Sequence, residues 1–334
     1  MVSSETDKKK SAYQRYLEQK HAKFNTPDLV IDAVVDAAVG EKPINKEKVI
    51  LGEVNEVYDV TVGNEKHLIV RISRSSNPRF ASEKWALDEV KKVGVPAPKI
   101  LLVTSQSIKE RNLTFCVEEK LSGNPIISIP WQEKDRIKAL VVQAGAMLAK
   151  IHSVKPTGFG GLSEDGQGKL SSWLEYVNEI DDEQEEILKS AIKIGLSIDQ
   201  IERGFKLLKE NNHLFEDVEP HLLHGDFSTK HILFENDLIT GIIDFESCKS
   251  GDPLWDFAWW SYFFGKDVPI EWLKEGYDQV NKVDPEFNKK LVLYRIRLGL
   301  SMIHYYESEG NTSGMQHTKE KLLSDLKLCG ILFN

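Results

Sequence analysis

Cysteine is scarce in this chain. Its 334 residues hold three, Cys116, Cys248 and Cys329, odd in number, far apart and without a CxxC spacing. That excludes a disulfide scaffold and a structural zinc site and fits a reducing compartment. Long apolar runs are missing too. No eighteen consecutive apolar residues occur, so no membrane-spanning helix is expected. Residues 1–20 are polar and charged, without the apolar stretch of a secretory signal, and a cytoplasmic location is expected. Basic excess is absent: 43 Lys and Arg face 52 Asp and Glu, a net charge of -9. Nucleic acid is thereby excluded as the main partner, because a phosphate backbone requires a basic footprint. An acidic surface tolerates, and can attract, a cationic small ligand, although acidity also simply keeps proteins soluble. There is no internal repeat, no low-complexity tract, and no segment that points to an obligate protein partner.

The hydrophobic share of 41% supports a real core, in one large domain or two modest ones. The first ~25 residues read as a polar helix or arm, and Asp28–Ala38 is apolar at helical spacing. From Val49 the period changes to two. Glu53–Val62, the turn Gly63-Asn64 and His67–Ile72 predict a hairpin. A helix is expected from Arg79 to Val93, stopped by Gly94 and by Pro96 and Pro98. Two strand-like segments follow, Ile100–Ser105 and Leu113–Glu119. Beyond Gly123 the pattern is helical, over Asp135–His152, Ser171–Ile180, Glu183–Ile194, Asp199–Asn211 and from Pro253 onward. Leu222–Phe245 is the single expected β interruption. The expectation is an α+β fold with a small β-rich lobe over residues 1–120 and a larger, mostly helical lobe over residues 121–334. The cleft between unlike lobes is a natural place for a ligand.

The densest chemistry lies in His224-Gly225-Asp226-Phe227-Ser228-Thr229-Lys230-His231, followed by Ile242-Ile243-Asp244-Phe245. Ile232–Phe234 and Ile239–Ile243 read as two short strands. A hairpin centred near Asp237-Leu238 places His231 opposite Asp244, with Asp226 at the same end. Converging carboxylates repel unless a cation lies between them, and oxygen-rich sites suit Mg²⁺ shared with substrate phosphates. The plainer reading is a loop tied down by Asp capping bonds.

Protein kinases place His-Arg-Asp-x-x-x-x-Asn ahead of an Asp-Phe-Gly aspartate. With His-Gly-Asp at 224–226 and Asp244 downstream, the chain resembles the aminoglycoside phosphotransferase superfamily. That resemblance implies a protein-kinase-like two-lobed fold and phosphoryl transfer from ATP or GTP to a hydroxyl of a small molecule. It implies Asp226 as the catalytic carboxylate and Asp244 with His231 as ligands of Mg²⁺. His231 stands where the family usually has Asn, and the softer imidazole makes Mn²⁺ a second candidate. Arg71, in Val70-Arg71-Ile72, takes the place of the strand lysine that grips the α- and β-phosphates, and Glu83 that of its carboxylate partner. Taken without the loop, Arg71 is an ordinary strand residue. Leu51-Gly52-Glu53-Val54-Asn55-Glu56 would lie over the phosphates, with Gly52 and Asn55 presenting backbone, and it is weak as a motif because it holds one glycine. Val117, Glu118 and Glu119 match the segment that connects the lobes and faces the base.

The resemblance runs through nearly the whole chain. It is nearest the hygromycin-type branch of the family in Leu113-Thr114-Phe115-Cys116, Thr157-Gly158-Phe159-Gly160, Trp173-Leu174-Glu175-Tyr176, Gly251-Asp252 and Tyr294-Arg295-Ile296-Arg297-Leu298-Gly299-Leu300. An aminocyclitol such as hygromycin B is the acceptor it implies. A sugar or amino-alcohol kinase remains open, as does a silent nucleotide-binding pseudokinase, which the two departures at Arg71 and His231 motivate.

Other residues carry two readings each. Asp252 suits a helix N-cap ahead of Pro253, and Asp252 and Asp256 read mainly as braces, with a substrate role for Asp252 as the alternative. Trp259 and Trp260 sit in an aromatic stripe, which is usually core, with stacking on a sugar as the alternative. Lys230 either offsets γ-phosphate charge or is a plain exposed lysine. His224 and His152 read as supports. The acidic run 181–186 is either a solvated helix face or a lid that recruits cations.

Overall fold

The structure is a computed structural model that describes residues 12–50, 52–108 and 111–333. Residues 1–11 of the expected arm, and Leu51, lie outside the described residues. The chain divides into two compact units, one holding the residues up to Ala81 with Pro98–Leu121, the other Ser82–Ala97 with everything from Ser122.

The smaller unit opens with α1 (Ala12–His21) and α2 (Asp28–Val39), and continues as β1 (Asn45–Val49), β2 (Glu56–Val62) and β3 (Lys66–Ser73). After α3 (Phe80–Lys92), β4 (Ile100–Ile108) and β5 (Arg111–Glu119) complete an antiparallel sheet of order β1-β2-β3-β5-β4. Strict alternation decides which face is buried. On β2 every even-numbered residue is buried, and Tyr58, Val60, Val62, Leu68, Val70, Ile72, Leu113, Phe115 and Val117 form one core with Ile31, Val34 and Val35 of α2. The expected hairpin and both helices are present. Asn64 and Glu65 take positive φ, 56° and 57°, at the turn, and Gly94 closes the α3 segment at φ 77°.

Glu56 is an exception on that apolar face. Its side chain is fully buried, and it accepts from Thr26 (2.6 Å), Tyr58 (2.7 Å), Arg74 (2.7 Å) and Lys48 (3.1 Å). Burial alone would raise its pKa, but the donors outweigh burial and hold it at about 2, against an ordinary 4.5. A carboxylate depressed in the folded state contributes stability that is complete above the unfolded pKa and is lost as pH falls through the folded one. Unfolding midpoints should therefore drop between pH 4.5 and about 2, with this residue accounting for about 3 kcal/mol at most. Glu56→Gln should be less stable at pH 7 and show a shallower acid limb in urea titrations. An acid limb identical to the parent's would remove Glu56 as its source.

The larger unit takes most of α3 and continues with β6 (Asn124–Pro125), α4 (Lys134–Ile151), β7 (Phe159–Leu162), β8 (Gly168–Leu170), α5 (Trp173–Asn178), α6 (Gln184–Lys193), α7 (Ile198–Glu210) and β9 (His221–Leu223). Then come β10 (Ile232–Glu235), β11 (Leu238–Ile242), β12 (Lys249–Gly251), α8 (Leu254–Phe263), α9 (Ile270–Tyr277), α10 (Phe287–Ser308) and α11 (Thr312–Leu332). The long helix α10 packs against α6, α7, α8 and α11, while α4 packs on α9. The β content exceeds the single interruption expected. A sheet of order β8-β7-β12-β9 joins Gly160 and Gly161 to Ser250 and Lys249. Its strands are three or four residues long, and β7, β8 and β12 contain glycine, so alternation cannot announce these three, and pairing across ~90 residues supplies the order instead. The three cysteines are buried and form no disulfide. Among the described residues, no helix is long and apolar enough to cross a membrane.

Candidate active site

β10 and β11 position the site, and their register corrects the sequence expectation. The turn is the two-residue Asn236-Asp237, both at positive φ (50° and 61°), as a tight hairpin requires. Glu235 pairs with Leu238 and Phe234 with Ile239, but Leu233 pairs with Gly241, so Thr240 is an extra, bulged residue. The bulge is anchored where Thr240 Oγ1 donates to the Ser122 carbonyl at 2.7 Å. His231 therefore lies opposite Ile243, whose N–H donates to the His231 carbonyl at 3.0 Å, and not opposite Asp244. The two still converge, for another reason. Asp244 takes a left-handed conformation at φ 66°, and its carboxylate lies 3.4 Å from His231 Nε2.

Asp226 arrives from the preceding loop. Gly225 turns that loop at φ 82°, where a Cβ would stand 2.0 Å from the Ser247 carbonyl, so no side chain fits. His224 is fully buried. Its Nε2 donates to the Ile243 carbonyl (3.0 Å) and its Nδ1 accepts from the Asp226 N–H (3.2 Å). The neutral ring satisfies both bonds, and burial pushes its pKa down to about 4 against the opposing pull of Asp256. Asp256, equally buried, accepts from the backbone N–H groups of His224 and Gly225 (both 2.8 Å) and from His152 Nε2 (3.0 Å). Burial raises the Asp256 pKa, but the bond from His152, the electrostatic pull of the histidine rings and the Gly225 N–H bring it below the ordinary value.

Ligand atoms of Asp226, His231 and Asp244 lie within 4.8 Å of one another. The tautomer of His231 follows from its partners. Nδ1 lies 2.9 Å from the Asp226 carbonyl oxygen, which can only accept, so Nδ1 carries the hydrogen. His231 Nε2 lies 3.4 Å from the Asp244 carboxylate and offers a lone pair to a cation when it carries no hydrogen. Two carboxylates and one imidazole gathered in this way fit a hard divalent cation with one nitrogen ligand. The Asp226 pKa is raised, first by burial. His231 draws it back, Asp244 adds to the rise, and the Trp259 N–H and Lys230 lower it again.

Trp259 donates its indole N–H to Asp226 Oδ1 at 2.7 Å, a role the aromatic pattern did not announce. Trp260, offered above for stacking on a sugar, is fully buried with its N–H on the Val268 carbonyl (3.1 Å), which makes it core. Asp252 is likewise buried, accepting from Tyr294 (2.7 Å), Lys290 (3.2 Å) and the Leu254 N–H (2.9 Å), so its oxygens are committed inside the fold. Lys230 is exposed. The run 181–186 falls in the helical turn Glu179–Glu183 and the start of α6. His152 lies too far along the chain from Asp256 for any spacing argument to have joined them.

The small unit holds Arg71, Gly52, Asn55, Val117, Glu118 and Glu119. Arg71 is buried on β3, where its guanidinium lies 3.3 Å from the Glu118 carboxylate and 5.0 Å from the centre of the Phe80 ring. Gly52 is exposed, with its carbonyl 2.6 Å from His21 Nε2, and Asn55 is buried. Val117–Glu119 differ from expectation. β5 runs between β3 and β4, and the backbone of all three residues falls within its ladders, with the Glu119 N–H on the Lys99 carbonyl at 3.0 Å. The Lys120 N–H still reaches back to the His67 carbonyl of β3 at 3.4 Å. Glu83 is fully buried in the larger unit.

A model of the phosphotransferase enzyme family matches residues 48–285, taking in both the β3 arginine and the whole 224–245 segment. The chain belongs to the phosphotransferase enzyme family. Hygromycin-B 4-O-kinase of Escherichia coli is 22% identical over 264 residues, covering 78% of this chain and 74% of that protein. A thermostable mutant of aminoglycoside phosphotransferase APH(4)-Ia, solved as a ternary complex with AMP-PNP and hygromycin B, superposes with a TM-score of 0.72 at 19% identity, over 89% of this chain and 97% of that one. The gentamicin complex of APH(2'')-IIa gives 0.65 at 18% identity, over 90% and 97%. The α+β fold is thus the kinase-like fold of these enzymes, and this family member is a phosphotransferase.

Proposed function

We propose that this phosphotransferase moves the γ-phosphoryl group of ATP or GTP to a hydroxyl of a small cationic aminocyclitol of the hygromycin type. The observation that carries the reading is the convergence of Asp226, His231 and Asp244 within 4.8 Å on a loop of the family's pattern. Similarity to hygromycin-B 4-O-kinase and to the hygromycin B complex supports the acceptor class, and the net charge of -9 suits a polyamine-bearing ligand.

Asp226 accepts a hydrogen bond from the acceptor hydroxyl and orients its oxygen for in-line attack. The new O–P bond forms as the β,γ-bridging P–O bond breaks, the nucleoside diphosphate departs, and the hydroxyl proton passes to Asp226. Asp244 and His231 Nε2 would hold Mg²⁺, with Mn²⁺ a good substitute because one ligand is an imidazole. When bound, the ion supplies charge neutralisation at the β- and γ-phosphate oxygens. Arg71, by the family's pattern, is the candidate ligand of the α- and β-phosphates, and Lys230 adds positive charge beside Asp226. Asp256 and His224 hold the loop in shape.

The test is transfer itself. The protein, ATP or GTP and Mg²⁺ or Mn²⁺ are incubated with hygromycin B, other aminocyclitols, amino alcohols and sugars, and phosphorylated product is read by mass. Phosphorylated hygromycin B is the expected result. Product only on a sugar or amino alcohol would replace the acceptor class, and nucleotide binding without any product would make the chain a silent binder.

A further inference from the structure

Asp226 has two chemically equal oxygens, yet its surroundings treat them differently. The indole N–H of Trp259 holds Oδ1 at 2.7 Å, while Oδ2 lies on the His231 side, 3.8 Å from Nδ1. An aspartate carboxylate left to itself turns about a soft, nearly two-fold torsion. The backbone of Asp226 is already fixed at both ends, its N–H on His224 Nδ1 (3.2 Å) and its carbonyl under His231 Nδ1 (2.9 Å). Trp259 supplies the remaining constraint, on the side chain.

The donor suits that purpose. An indole N–H cannot accept, so it never competes for the acceptor's hydroxyl proton. Its ring is held in turn. Trp259 lies on α8 between the buried Ala258 and Trp260, and its ring packs on Phe263 at 4.6 Å between centroids. The hydrogen is therefore delivered from a rigid element rather than from a mobile loop.

We propose that Trp259 is a positioning residue of the phosphoryl-transfer reaction: by fixing Oδ1 of Asp226 it leaves Oδ2 as the single oxygen that receives the acceptor hydroxyl. This rests on the reading that Asp226 is the hydroxyl's partner. Released from the indole, the carboxylate samples orientations in which neither oxygen faces the hydroxyl, and misplacement of this order costs chemistry more than binding.

Trp259→Phe is the test, because it removes the N–H while leaving a smaller aromatic ring to pack on Phe263. With the acceptor that the parent protein phosphorylates, kcat should fall roughly ten- to a hundredfold. KM for nucleotide and for acceptor should stay within about twofold of the parent, and the thermal midpoint should be unchanged. That split is the readout a merely structural role would not produce. Unchanged kcat in Trp259→Phe beside an active parent would overturn the inference and leave the proposed function standing. Loss of kcat accompanied by a raised nucleotide KM and a lowered midpoint would also overturn it, by making Trp259 a packing residue. A parent protein that transfers phosphoryl to no acceptor would sink the proposed function, and the inference with it.

Discussion

Asp226→Asn should bind nucleotide normally and lose turnover by roughly a thousandfold or more. The amide is isosteric, so the loop should survive. Its backbone bonds to His224 and His231 do not involve the side chain, and the amide oxygen can still accept from Trp259. What disappears is the negative charge and the ability to take the hydroxyl proton. Nucleotide affinity measured by titration should stay within about threefold while kcat collapses. Asp244→Asn should divide the effects differently. The Asp244 carboxylate lies 3.4 Å from His231 Nε2, so its neutralisation should weaken divalent-ion binding as well as turnover. Near-parental transfer by either variant would remove that carboxylate from the chemistry.

Much of this site was legible in the residues because its parts are close in sequence. Asp226, His231 and Asp244 fall within nineteen positions, and the apolar strands around Asn236-Asp237 could fold back only as a hairpin. Its register was not legible. The turn closes on Asn236-Asp237, one residue ahead of the expected centre, and the bulged Thr240, held by a contact to Ser122 far upstream in the chain, then shifts the pairings beyond it by one. The convergence of His231 with Asp244 survived because a left-handed residue achieves what direct opposition would have. The long, strongly periodic elements α2, α3 and α4 were readable to within a residue or two, since hydrophobic spacing and terminal glycine or proline act locally. Strands β7, β8 and β12 were not, because tertiary pairing rather than propensity orders them. Adjacent tryptophans set a different limit. Helical periodicity could not tell that Trp260 faces the core and Trp259 faces Asp226, since α8 is buried almost all round.

The support beneath the catalytic loop should be as sensitive as the loop. Asp256→Ala should destabilise the protein by about 3–5 kcal/mol and abolish transfer. Three donors converge on this fully buried carboxylate, the backbone N–H groups of His224 and Gly225 and the ring of His152. Removing it strands all of them away from water, at a cost of about 1–3 kcal/mol for each buried group left unsatisfied. Asp256→Asn should be nearly as damaging, which separates this mechanism from simple loss of packing. Its oxygen can serve one side of the site, but its NH₂ group must face a backbone N–H or the His152 hydrogen on the other, placing donor against donor. Urea unfolding of both variants, beside the parent, reads the stability loss. Transfer assays well below the midpoint read the catalytic one, because Gly225 carries Asp226 directly and cannot shift without moving it. An asparagine variant with the parental midpoint would mean that the ionised carboxylate is not what holds the loop. Three donors meeting on one fully buried carboxylate argue that it is.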